Sequence, residues 1–163
     1  MAPRLVWKET LKTRERPRLL VIGGGSDYEF LNSLERYDPS TNEWEEEAVA
    51  PMPAARKYVR TAVLDGKLYA AGGESEDDGE VLNSPGRYAA STEEWEEEAV
   101  APLPTPRMKV GTAVLDGKFY AVGGWEPNDG ALSSVERYDL ATKAWEALAP
   151  ISAAWGNFVR LAT

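Results

Sequence analysis

Thr61-Ala-Val-Leu-Asp-Gly-Lys-Leu-Tyr-Ala-Ala-Gly-Gly73 returns further along the chain as Thr112-Ala-Val-Leu-Asp-Gly-Lys-Phe-Tyr-Ala-Val-Gly-Gly124. In each copy two β-prone runs flank an Asp-Gly pair, Asp65-Gly66 in one and Asp116-Gly117 in the other. Asp-Gly supplies the positive φ angles of a type I′ turn, so both stretches read as β-hairpins. Each ends in a glycine doublet, and a third doublet stands at Gly23-Gly24 behind the apolar run that begins at Arg18.

Downstream of each doublet the pattern continues. A polar stretch, 25–32, 74–83 or 125–133, is too rich in Gly, Asp and Glu for a strand and reads as a loop. A short strand then ends in Tyr37, Tyr88 or Tyr138, and Trp44, Trp95 or Trp145 follows at the same separation each time. Between them, Asp38-Pro39-Ser40-Thr41-Asn42 carries the side chains of a tight reversal. A repeat of this size marks one supersecondary unit that cannot bury its apolar face without neighbours. With no helical period, each unit reads as four antiparallel strands, a twisted blade. A two-sheet sandwich would not predict near-identical units at a fixed spacing.

The divisions that follow are an N-terminal segment over 1–17, expected to be irregular in structure, then blades over 18–50, 51–101 and 102–149, and a final strand of a further or shared blade over 150–163. The first strand of the first blade is either missing or comes from residues 4–8. Pro85 and Gly86 interrupt the third strand of the middle blade, because Pro cannot donate to a ladder and Gly weakens it.

Composition narrows the chemistry. The chain is 43% apolar and 28% charged, the profile of a soluble globular protein. It has no cysteine and no histidine, so disulfides, thiolate nucleophiles and the commonest base and transition-metal ligand are all absent. A net charge of −9 argues against nucleic acid as a partner. The first twenty residues run the other way, with Arg4, Lys8, Lys12, Arg14, Arg16 and Arg18 against Glu9 and Glu15, in keeping with a solvated terminus. No signal-type segment and no apolar run of membrane length is seen, which makes an intracellular protein that meets no membrane the expectation. The acidic runs 45–47, 74–80 and 96–98 read as solvated strand and loop, and Asp77-Asp78-Gly79 lacks the ligand spacing of a calcium loop, so no metal and no cofactor are assigned.

The coincident Gly-Gly, Tyr and Trp sets resemble kelch repeats over about residues 18–163. The resemblance implies a β-propeller, here all-β and partial, with three kelch-type four-stranded antiparallel blades. It also implies a non-enzymatic module that recognises a protein partner through loops on one face, as in ubiquitin-ligase substrate adaptors or actin-associated scaffolds. The alternative it leaves open is an enzyme such as a sugar mutarotase; the family's oxidases and specifier proteins use metal ligands, commonly histidine.

Gly23, Gly24, Gly72, Gly73, Gly123 and Gly124 are expected to permit close backbone approach, and Tyr37, Tyr88, Tyr138, Trp44, Trp95 and Trp145 to fill the space between blades. If buried, Trp44 truncated to Ala would cost about 3–5 kcal/mol. Contact candidates are Arg56 and Arg107, at a position where kelch proteins often place a face arginine, with Trp155 as their departing third equivalent, and Trp125. Asn32, Ser33, Asn83, Ser84, Ser133 and Ser134, just ahead of the third strands, complete the set.

Three blades fall short of the about four to eight that close a propeller. One expectation is a homodimer forming a six-bladed ring, each chain lending its last strand, around Asn157 to Leu161, to its partner's first blade. The other is that the chain is part of a longer propeller.

Overall fold

The computed structural model describes residues 5–6, 18–25, 29–46, 50–89, 92–96, 100–156 and 161. The basic residues from Arg4 to Arg16, and Asn157 to Arg160 of the expected last strand, lie outside the described residues. Strands β1 (Leu5–Val6), β2 (Arg18–Gly25), β3 (Phe30–Asp38) and β4 (Glu43–Glu46) form the first four-stranded sheet in sequence order. A short β5 (Arg56–Lys57) leads into the second sheet, built from β6 (Arg60–Leu64), β7 (Lys67–Ala71), β9 (Gly86–Ala89) and β10 (Glu94–Glu96), with β8 (Glu74–Ser75) paired back on β5. The third sheet holds β11 (Gly111–Leu115), β12 (Lys118–Val122), β15 (Val135–Asp139) and β16 (Ala144–Leu148), with β13 (Trp125–Glu126) and β14 (Gly130–Ala131) forming a side hairpin. The fold is a partial β-propeller of three kelch-type antiparallel blades. Among the described residues there is no helix, and so none long and apolar enough to cross a membrane.

The turns obey their chemistry. Asp65-Gly66 and Asp116-Gly117 have φ of 50°, 67°, 49° and 68°, both central residues left-handed as a type I′ turn demands. The register follows, with Leu64 opposite Lys67 and Leu115 opposite Lys118. At the third-to-fourth-strand turn, Asn42, Glu93 and Lys143 take the same positive φ, and the Asp38 carboxylate accepts from the Ser40 amide at 2.7 Å.

Three expectations need correction. Residues 25–32 are not a loop throughout: β3 starts at Phe30, opposite Gly25, so Asn32 and Ser33 lie in a strand. The stretches after the other doublets also carry short paired strands, because Glu74–Ser75 meets Arg56–Lys57 and Trp125–Glu126 meets Gly130–Ala131. Finally, Leu5–Val6 pairs with Arg18 and Leu19, so the edge at which a second copy would lend a strand already carries one from the chain itself.

The core is not inside any sheet but between sheets. Alternation along a strand sends neighbouring residues to opposite faces, and each face packs on the next blade. Leu20, Ile22, Leu34 and Met52 from the first blade and its exit meet Leu68 and Tyr88 of the second. Leu64, Tyr69, Ala71, Val100 and Leu103 from the second meet Val110, Phe119, Ala121 and Tyr138 of the third. Each Leu, Ile, Val, Met or Phe side chain among them contributes about 1.5–3 kcal/mol on leaving water.

Candidate functional site

The segment linking one blade to the next is tied down by a repeated set of backbone bonds. The carbonyls of Asn32, Asn83 and Ser133 accept from the amides of Met52, Leu103 and Ile151 at 2.8, 2.9 and 3.0 Å. The carbonyl of Arg107 accepts from Gly73, and that of Trp155 from Gly124, at 3.0 and 2.9 Å. Trp155 thus holds the backbone place of Arg107, one blade on. The glycine doublets make this approach possible: a β-carbon on Gly72, at φ 65°, would collide with the Arg107 carbonyl, and one on Gly73 would lie 2.9 Å from that of Lys57. One glycine of the doublet therefore admits the outgoing link and the other the incoming link.

From these links two arginines reach into the next blade. Arg107 is 0% exposed; it donates to the Gly123 carbonyl at 3.0 Å and to the Ser134 hydroxyl at 3.1 Å, and pairs with Glu136 at 2.6 Å. Glu136 also accepts from the Thr105 hydroxyl at 2.9 Å. Burial pushes the Glu136 carboxyl above its usual range and the Arg107 guanidinium below its own, despite their mutual attraction. Arg56, 6% exposed, does the same in the second blade, donating to the carbonyls of Ser84 at 2.9 Å and Gly72 at 3.4 Å. Both arginines are buried ties between link and blade, which corrects the expectation of two exposed contacts: Arg107 is fully enclosed, and Arg56 reaches open space only as part of a cavity wall.

Among their differences, the two blades differ at the position that meets the link arginine in the third. Where the third has Glu136, two residues before Tyr138, the second has Gly86, two before Tyr88. Beside Gly86 lies a cavity of about 460 Å³. Its walls are largely apolar, with Met52, Trp95 and Pro102 among them, and Arg56 is one polar wall. Exposed Asn83 and Ser84 stand at its mouth. The structure therefore brings three of the expected contact residues, Arg56, Asn83 and Ser84, to one cavity. Trp125 is half-buried, its backbone bridged to Met108 and its ring beside Gly156, while Trp155 is 57% exposed. Ser133 and Ser134 are half-buried in the third blade, and Asn32 and exposed Ser33 belong to the first, so these do not join the cavity.

A second cluster had no signal in the sequence. Tyr58 and Lys109 follow Arg56 and Arg107 by two residues, and both adopt left-handed backbone at φ 58° and 56°. For bulky side chains that is a strained state held by its surroundings. The Lys109 ammonium lies 4.9 Å from the Tyr58 ring centre, and Lys57 lies 4.3 Å from that of Phe30 and 3.1 Å from the Glu74 carboxylate. Lys57, Tyr58 and Lys109 form a cationic and aromatic cluster in which the Lys57 charge is paired with Glu74. Among the described residues no three acidic side chains converge as they would around a metal ion.

A family model described as the KLHDC2/KLHL20/DRC7 Kelch-repeats domain matches residues 7–155. The chain belongs to the kelch-repeat family. Kelch relatives include Kelch-like protein terF of Aspergillus terreus, 31% identical over 83% of this chain and 32% of its own length. Human Kelch-like protein 33 is 36% identical over 74% of this chain and 22% of its own, and zebrafish (Danio rerio) Kelch-like ECH-associated protein 1A is 37% identical over 66% and 18%. The chain thus spans a third or less of these relatives. The solved structure of YjhT superposes with a TM-score of 0.68 at 22% identity, covering 83% of this chain and 50% of that one, a likeness of fold.

Proposed function

We propose that the chain is a protein-recognition module that receives a side chain of its partner in the second-blade cavity. The observation that supports this reading is the cavity of about 460 Å³ beside Arg56 and Trp95, with Gly86 in its wall where the third blade carries Glu136. An apolar hollow with one cationic wall and two exposed polar residues at its mouth suits a partner segment carrying an apolar residue next to a carboxylate. In a longer or multi-chain setting this is the substrate-binding part of a ubiquitin-ligase adaptor, or of an actin-associated scaffold; the kelch-like relatives support that direction. The reading is tested by selecting from a displayed library of random peptides. Enriched peptides should combine acidic and apolar residues and should lose binding to Ser84→Trp, which plugs the mouth from an exposed position. Peptides that bind Ser84→Trp equally well would refute it.

A further inference from the structure

Each blade carries a serine followed at a fixed distance by an arginine: Ser33-Leu34-Glu35-Arg36, Ser84-Pro85-Gly86-Arg87 and Ser134-Val135-Glu136-Arg137. The second set departs from the others at its two middle places. Pro85 has no amide N–H to give a ladder, so β9 opens at Gly86, opposite Ala70, whereas β15 opens one place earlier, with Val135 opposite Val122. Ser84 is left outside the strand and exposed, while Ser134 is half-buried. Ser33 is exposed as well, but Leu34 and Glu35 follow it.

The same exchange changes what lies beside the serine. In the third blade the Arg107 guanidinium donates to the Ser134 hydroxyl at 3.1 Å and to Glu136 at 2.6 Å. Arg56 holds the place of Arg107 and donates to the Ser84 carbonyl at 2.9 Å, so a group carried on the Ser84 side chain has a guanidinium within reach. With Gly86 in place of the carboxylate, the cavity of about 460 Å³ has no Asp or Glu in its walls. Glu136 would repel a phosphate on Ser134, whereas one on Ser84 meets a guanidinium and space to hold it. A serine followed by proline, with a basic residue two places further on, is the pattern that proline-directed serine kinases select, and Arg87 fills that last place. The chain's other hydroxyl-proline pair, Thr105-Pro106, spends its hydroxyl on buried Glu136 at 2.9 Å.

We propose that Ser84 is a phosphorylation site for a proline-directed serine kinase, and that its phosphate turns onto Arg56 and fills the second-blade cavity. The Ser84 Oγ attacks the γ-phosphorus of a nucleoside triphosphate held by the kinase, and the Oγ–P bond forms as the bond to the β–γ bridging oxygen breaks. The nucleoside diphosphate leaves, and the hydroxyl proton passes to the kinase's catalytic carboxylate. The resulting dianion stands to Arg56 as Glu136 stands to Arg107, a charge-assisted pair whose anion is added after synthesis. That the phosphate shuts out a partner side chain rests on the partner reading; the place of the phosphate does not.

A cyclin-dependent kinase with ATP should phosphorylate the folded chain at Ser84, located by mass spectrometry, and Ser84→Ala should take up no phosphate. Phosphorus NMR then reads the surroundings of the group. The second ionisation of phosphoserine, at about 6 when free, should lie lower in the folded chain and return to the free value in urea. The Arg56 side-chain N–H resonances should move on phosphorylation while those of Arg107 stay. Peptides that the parent binds and Ser84→Trp does not should likewise fail to bind the phosphorylated chain. No phosphate at Ser84, equal uptake by Ser84→Ala, an ionisation identical in the folded chain and in urea, unmoved Arg56 resonances, or retained binding of those peptides would each overturn the proposal. The phosphorus measurement decides it even where every peptide ignores Ser84→Trp, the outcome that sinks the partner reading alone.

Discussion

Arg107 and Glu136, from the link ahead of the third blade and from its third strand, meet at 2.6 Å with side chains 0% and 4% exposed. Withdrawing both charges from water is costly, and the direction of both ionisation shifts says that burial outweighs the attraction. The pair is a tie that punishes its own breakage more than it adds to stability. Glu136→Ala, which leaves the guanidinium buried without its carboxylate, should destabilise by about 3–5 kcal/mol. Arg107→Met with Glu136→Leu should regain most of that loss. Urea unfolding followed by tryptophan fluorescence reads both, and a double variant as unstable as the single one would contradict this account.

How much of this was legible in the residues depends on how local the cause was. The hairpins at Asp65-Gly66 and Asp116-Gly117 are dictated by two residues each, and the structure has them with the expected left-handed angles. The doublets were legible as tight spots, but not that each glycine faces a different link, since Arg107 and Lys57 come from opposite sides in sequence. Arg56 and Arg107 read as contacts on the loop face because they match the place of kelch face arginines and a guanidinium fork suits carboxylates. Only the fold brings Gly123, Ser134 and Glu136 around a guanidinium. Tyr58 and Lys109 gave no warning of positive φ, since neither is Gly or Asn. Trp44 read like Trp95 and Trp145, yet burial belongs to the neighbouring blade and not to the residue.

The doublet makes a comparison between two glycines with nearly the same backbone. Gly66 and Gly72 have φ of 67° and 65°, but a β-carbon on Gly66 would meet nothing within 4 Å while one on Gly72 runs into the Arg107 carbonyl. Gly66→Ala should therefore cost only the left-handed strain, about 1–2 kcal/mol. Gly72→Ala should add an overpacking cost of about 1–3 kcal/mol on top. Equal melting temperatures for the two variants would show that the link can move aside freely.

Carboxylates in this chain shift in opposite directions. Hydrogen bonding to Arg87 holds Glu96 below the usual range, and bonding to Lys118 does the same for Asp139. Their contribution is present above the ordinary carboxylate pKa and is lost as pH falls through their lowered folded values. Glu136, raised by burial, has the reverse sign: its contribution is present below the ordinary value and is lost as pH rises through the folded one. Carbon-detected NMR titration should find Asp139 and Glu96 titrating below Glu136. Lys118→Gln should move Asp139 part of the way up, since the Ala141 amide still donates to it, and leave Glu136 where it is.

The three tryptophans separate the energy of a blade from that of a joint. Each stacks on its own blade's tyrosine, at 5.2 Å for Tyr37–Trp44, 5.6 Å for Tyr88–Trp95 and 5.2 Å for Tyr138–Trp145, so this contact is common to all. What differs is the neighbour. Trp145 packs against the core between the second and third blades and donates to Ala101, so Trp145→Ala should cost about 3–5 kcal/mol. Trp145→Phe should retain much of the packing and lose the hydrogen bond, about 1 kcal/mol with a similar desolvation charge for the Ala101 carbonyl. Trp44 is 45% exposed and lacks that setting, which corrects the large cost expected of a buried ring. Measured at high dilution, Trp44→Ala should cost about 1 kcal/mol, the scale of an aromatic pair. A Trp44→Ala loss as large as that of Trp145→Ala under those conditions would mean that the first blade is covered within a single chain.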